Sequence, residues 1–273
     1  VLSPETVGPP KLQNVVALSL SSRPTLYYAG EAGLGILTTG SPDRAQAVAK
    51  PRGLVVDRTG AVVAFDATSL RPPTGAPMML SVLQANGTPK ALSDIEAVAQ
   101  FSNGDWLITD GNDRSLQRFS NTGAHIGVFA PGRLTPLAVT GTDDVVGIDK
   151  DTKTIVVFDS TGKNTARIPL RGGGYDLQNV EDLAVDTFGH VYVLDRTAIA
   201  IFSPHPAGPP ATGLAAASPA TAGARVTAYR LVTLFAPPPN DATGFKRARA
   251  FALDPSGVVF LYDDRAERVM VYR

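Results

Sequence analysis

Residues 51–66 read "PRGLVVDRTGAVVAFD", and the same pattern returns along the chain without a gap. It lies over "IEAVAQFSNGDWLITD" ending at Asp110, "LTPLAVTGTDDVVGID" ending at Asp149, "VEDLAVDTFGHVYVLD" ending at Asp195 and "ARAFALDPSGVVFLYD" ending at Asp263. A weaker copy, "VVALSLSSRPTLYYAG", ends at Gly30. Self-similarity at this spacing marks a repeat architecture. Six units result, starting at positions 15, 51, 95, 134, 180 and 248.

The units share one grammar. A short apolar strand is followed by a polar turn such as Asp57-Arg58-Thr59-Gly60 or Asp254-Pro255-Ser256-Gly257. Glycine stands where such a turn needs positive φ. A second strand rich in Val, Tyr, Phe and Ile then ends in the aspartate. A third strand follows ("SLQRF", "TIVVF", "AIAIF", "RVMVY"), and most units add a fourth ("HIGVF", "ARIPL").

The first strands also predict how the units pack. One column holds Leu18, Leu54, Val98, Leu137, Leu183 and Phe251, all large; the next holds Ser19, Val55, Ala99, Ala138, Ala184 and Ala252, mostly small. Side chains alternate faces along a strand, so each sheet has a bulky face and a tight face, both largely apolar. A sheet buried on both faces needs a neighbour on each side. Six four-stranded antiparallel sheets stacked radially meet that demand, which makes the chain all-β and a six-bladed β-propeller. The last unit ends at Tyr272-Arg273 in its third strand, and an open sheet edge is a liability. Some of residues 1–11 are therefore expected to pair beside "RVMVYR" and close the ring.

The run "DGNDRSLQRFSNTGAHIGVF", together with "VEDLAVDTFGHVYVLD", resembles NHL repeats. The resemblance is good in the units from 95, 180 and 248, fair at 51 and 134, and poor at 15, where Ser21, Pro24 and Gly30 replace the Asp, Gly and Asp. It implies a propeller and leaves the function open.

Composition narrows the function classes. Lys plus Arg equals Asp plus Glu, 25 against 25, so the formal net charge is zero. This balance argues against a nucleic-acid partner engaged through bulk charge. No apolar run is long enough to span a bilayer, so membrane insertion is not expected. The chain has no Cys, which removes disulfides, thiolate metal sites and cysteine nucleophiles and is compatible with an extracytoplasmic setting, the one favoured here. The expected organisation is a single propeller domain over 1–273, monomeric or part of a longer chain.

Two stretches break the period. Residues 67–77, "ATSLRPPTGAP", read as a lengthened connection. Residues 205–224, "HPAGPPATGLAAASPATAGA", have little to bury and read as a flexible insert before the strand "RVTAYRLVTLF". The basic cluster Lys246, Arg247 and Arg249 reads as a solvated loop beside the last unit.

The strand-end aspartates Asp66, Asp110, Asp149, Asp195 and Asp263 recur at equivalent positions on different blades. A shared role as acceptors for turn N–H groups explains that recurrence. Propeller lactonases place acidic and amide oxygens around the central channel to hold calcium. Here the strand entrances supply Val16, Arg52, Glu96, Thr135, Glu181 and Arg249, and two arginines in that ring oppose a cation. The histidines, His125, His190 and His205, are scattered. Trp106 lies in a strand and reads as core. No catalytic residue, metal ligand or cofactor is assigned.

The expected function is a non-enzymatic binding or scaffolding module, with a protein or a small polar ligand as partner. The alternative is a lactonase-like propeller hydrolase or lyase with a central metal site. The nominated binding residues are Arg52, Glu96, Thr135, Glu181, Asp182 and Arg249 at the central mouth. Around the ring, Arg52 is expected to pair with Glu96 and Glu181 with Arg249, with Asp182 at the edge.

Overall fold

The computed structural model describes residues 5–7, 12–21, 25–31, 33–37, 42–46, 48–206, 227–236 and 244–273. Six antiparallel four-stranded sheets form the blades of a β-propeller. The first blade comprises Val15–Leu20, Leu26–Gly30, Gly33–Leu37 and Pro42–Gln46. The second comprises Gly53–Val56, Val62–Phe65, Ser69–Arg71 and Met78–Met79, and the third Ile95–Gln100, Trp106–Asp110, Ser115–Phe119 and His125–Pro131. The fourth blade is Leu134–Val139, Val145–Asp149, Thr154–Phe158 and Asn164–Pro169; the fifth is Val180–Val185, Val191–Asp195, Ala198–Pro206 and Thr227–Phe235. The sixth is Ala248–Leu253, Val259–Asp263, Arg268–Tyr272 and, from the other end of the chain, Glu5–Val7. No helix among the described residues is long and apolar enough to cross a membrane.

The first strands stand innermost, each against the first strands of its two neighbours, and the sixth returns to the first. The two sequence columns explain the stacking. Val98, Leu183 and Phe251 reach back into the clusters shared with the preceding blade. Ala99, Ala184 and Ala252 meet the following blade in theirs. Bulky side chains therefore lie on small ones at successive boundaries, which lets wedge-shaped sheets approach near the axis at interior packing density. Ser19 is the polar exception in the small column, and at the boundary it faces, between the first and second blades, the buried cluster among the described residues is Leu34, Val48 and Ala64.

The N-terminal strand closes the ring as the open edge requires. Glu5, Thr6 and Val7 pair with Val271, Met270 and Val269. The terminal aspartates are buried and accept backbone N–H groups, from the turn that follows and, for Asp195 and Asp263, also from the segment leading into the blade's first strand. Asp66 accepts the N–H groups of Thr68 and Ser69, Asp149 those of Asp151 and Thr152, and Asp263 those of Arg265 and Lys246. Burial alone raises the Asp66 carboxyl, but the bonds from Thr68, Arg71 and Ser69 outweigh it and hold the group below its ordinary range.

Two sequence expectations need correction at this level. Residues 67–77 are not simply a connection, because the third strand of the second blade, Ser69–Arg71, lies within them. Pro72 and Pro73 end that strand, since proline cannot donate to a ladder. The additional length of this unit sits further on, in a separate hairpin of Ser81–Leu83 with Pro89–Ala91. His205 belongs to the strand Ala198–Pro206, opposite Ala228, rather than to a loop. Most of the insert expected at 205–224 lies outside the described residues. Trp106 is core, as its place in the strand suggested.

Candidate functional site

The central mouth is built by a repeated irregularity. In the first strands the pairing register skips between Val15 and Ala17, Ile95 and Ala97, Leu134 and Leu137, Val180 and Asp182, and Ala248 and Ala250. The residues left out are Val16, Glu96, Thr135 with Pro136, Glu181 and Arg249. A β-bulge re-aims the side chain of its extra residue. Here that places one polar or apolar group per blade at the axis. Arg52 occupies the corresponding place in the second blade, just before its first strand.

The next tier, one position further along each unit, reads Ala17, Gly53, Ala97, Pro136, Asp182 and Ala250. Asp182 is the sole acid among them. Gly53 is required by its neighbour, because a Cβ there would lie 2.3 Å from the Phe65 ring. Arg52, Glu96, Thr135, Glu181 and Asp182 all line one cavity of about 160 Å³, with Val16 and Phe65. Arg249 is not among the lining residues and reaches the cavity only through its ion pair with Glu181.

The charges are paired, and not all in the expected way. Arg249 meets Glu181 at 3.2 Å, as the ring order suggested. Arg52 instead binds Asp94 at 2.5 Å and donates to the Ile95 carbonyl at 3.0 Å. Glu96 is taken by Arg133, whose Nε donates at 2.6 Å while a second guanidinium nitrogen meets the other oxygen. Arg196 is a second partner of Glu181, and Asp264 binds Arg247 and Arg249. Charged residues immediately before a first strand, Asp94 and Arg133, or just after a terminal aspartate, Arg196 and Asp264, therefore compete for the ring charges. Arg133 offers Glu96 a two-nitrogen fork, the geometry that carboxylates prefer. Close approach here is allowed by Gly111, where a Cβ would lie 2.2 Å from the Asp94 carboxylate.

The carboxylates lie deep and the guanidinium groups at the rim. Glu96 and Glu181 side chains are 11% and 15% exposed, against 40% for Arg52 and Arg249. Asp182 is half-buried on the floor between them. Its two oxygens accept N–H groups from Leu183 at 2.8 Å and from Phe251, on the next blade, at 3.1 Å. Desolvation nevertheless pushes its carboxyl up to about 7, against those two bonds and with a further push from Glu181. Part of the residue touches the funnel, while protein encloses it elsewhere, which is sufficient to penalise its charge.

This donor set does not fit a metal. Each oxygen of Glu96, Glu181 and Asp182 already receives a donor, and Arg52, Arg133, Arg196 and Arg249 stand around the site. Among the described residues no group of three or more His, Cys, Asp or Glu is placed to hold an ion. The histidines lie elsewhere: His125 accepts from Leu83 and meets Gln117, and His190 meets Asp186.

Sequence reading missed Asp94, Arg133, Arg196 and Asp264, which complete the ring. Their signal was present one position outside the aligned columns: charged residues directly before a first strand and directly after a terminal aspartate.

No protein-family model and no curated protein matches the chain. Among solved structures, it is similar to a gluconolactonase from Xanthomonas campestris (TM-score 0.63, 13% identity, 96% of this chain and 87% of that one). It is also similar to an auxiliary nutrient binding protein from Bacteroides thetaiotaomicron (0.61, 12%, 96% and 69%). A third likeness is to virginiamycin B lyase from Staphylococcus aureus (0.54, 11%, 96% and 82%). At such identities the likeness shows the fold alone.

Proposed function

We propose that the chain is a non-enzymatic binding module that receives a small polar ligand, or a partner's polar side chain, in the central mouth. The observation that carries this reading is Asp182, an acid in a tier otherwise made of Ala, Gly and Pro, at the floor of a cavity of about 160 Å³. The Thr135 hydroxyl adds an acceptor to the cavity wall, while the rim arginines favour groups that also present an acceptor outward. A ligand bearing an amine or hydroxyl at one end and an oxygen function at the other matches both tiers. Asp182→Ala should abolish ligand binding while the propeller still melts cooperatively; retained affinity would contradict the reading.

A second reading rests on the same acid. A carboxyl held near 7 is poised to exchange a proton, which suits a hydrolase or lyase that needs no metal. It requires turnover of a lactone or ester with a pH profile that breaks near 7 and is lost in Asp182→Asn.

A further inference from the structure

A second cavity, of about 250 Å³, opens beside the mouth between the fourth and fifth blades. Ile148, Leu170 and Val180 form its apolar base, and Lys150, Lys153 and Arg196 stand around it. Lys150 and Arg196 hold equivalent positions, each directly after its blade's terminal aspartate. Around the propeller that position reads Glu31, Ala67, Gly111, Lys150, Arg196 and Asp264, so its two cations fall on adjacent blades facing one cleft.

The balance of charge within the cleft is uneven. The carboxylate that lines it, Glu181, is committed to Arg196 and Arg249. Among the described residues neither Lys150 nor Lys153 has an ion-pair partner. Lys150 is half-buried, and desolvation, then repulsion from Lys153, pull its ammonium below the ordinary lysine range; attraction from Glu181 and Glu96 only partly offsets them, and Arg133 adds to the repulsion. Desolvating a cation beside other cations is unfavourable unless an anion arrives to compensate it. The apolar base strengthens that attraction by lowering the local dielectric.

We propose that this cleft binds a small oxyanion, the carboxylate or phosphate group of a soluble metabolite, gripped by Lys150 and Lys153 with Arg196 forming the far wall. The site goes beyond the mouth reading and shares with it only Glu181 and its partner Arg196, while Lys150 and Lys153 belong to the cleft alone and Asp182 to the mouth alone, so either can fail alone.

The test is calorimetric titration with inorganic phosphate and, separately, with succinate at matched ionic strength. Wild type should bind at least one probe, and the probe that binds tells phosphate from carboxylate chemistry. Lys150→Met, which keeps the apolar stem, should weaken binding by about tenfold or more. It should also melt higher than wild type in anion-free buffer. Lys153 is exposed, so Lys153→Gln gives a second variant that tests the same loss without disturbing buried structure. Asp182→Ala should leave both titrations unchanged. Failure of both probes to bind wild type, or equal binding by wild type and the Lys150→Met and Lys153→Gln variants, would overturn the proposal.

Discussion

The Asp182 carboxylate accepts the backbone N–H of Phe251, 3.1 Å away on the neighbouring blade, and so ties the fifth and sixth blades together at the floor of the mouth. The contact joins a structural role to a candidate binding role in one group. Its cost is the charge that must be held there.

That cost sets a pH dependence. The Asp182 carboxyl lies near 3.8 in an unfolded chain and about 7 in the folded one. Below the lower value it is protonated in both states and its contribution to stability is complete. As pH rises between the two values the unfolded chain releases its proton first, so stability falls until the folded group ionises near 7. The sign is therefore loss on raising pH, with a slope of about 1.4 kcal/mol per pH unit at its steepest. Asp182→Asn should gain a few degrees relative to wild type between about pH 5 and about pH 8. A melting difference that does not change with pH would contradict this.

The ion-pair assignments at the rim are separable by double-mutant cycles. Arg52 with Asp94 and Arg133 with Glu96 should each show coupling of about 0.5–1 kcal/mol, since the arginines are substantially exposed. Arg52 with Glu96 should show a smaller value. The reverse ranking would restore the pairing expected from ring order.

Much of the fold was legible because blade packing imposes a rule on single positions. A large residue at Leu183 and a small one at Ala184 follow directly from which neighbour each face meets. The strand-end aspartates were legible for a similar reason: Asp66 and Asp263 bind turns next to them in sequence. The mouth pairing was less accessible. Arg133 and Glu96 lie 37 residues apart on different blades, and long side chains choose partners by reach across a boundary. The second unit misled for a local reason, because the prolines after Arg71 resemble a long connection although a short strand precedes them.

The size rule at the blade boundaries gives a stability test. Leu183→Ala should cost about 2–5 kcal/mol through lost burial and the cavity left behind. Ala252→Leu should cost about 1–3 kcal/mol by overpacking the boundary with the first blade. Chemical denaturation of both variants checks the pair, and a neutral Ala252→Leu would mean the tight face has room.

The closing strand should matter beyond its length. Deleting residues 1–7 exposes the edge of Arg268–Tyr272 and removes the pairing from Glu5 to Val7. A clear fall in melting temperature and concentration-dependent association are expected. An unchanged, monomeric protein would show that the ring holds without its latch.

The most direct test of the binding role is ligand-observed NMR with a panel of small amines, amino acids and polyols, run on wild type, Arg52→Ala, Asp182→Ala and Lys150→Met. The mouth reading predicts at least one ligand whose signal is lost with Asp182→Ala, weakened with Arg52→Ala and kept with Lys150→Met. A panel with no binder, or binders indifferent to both Asp182→Ala and Arg52→Ala, would contradict it.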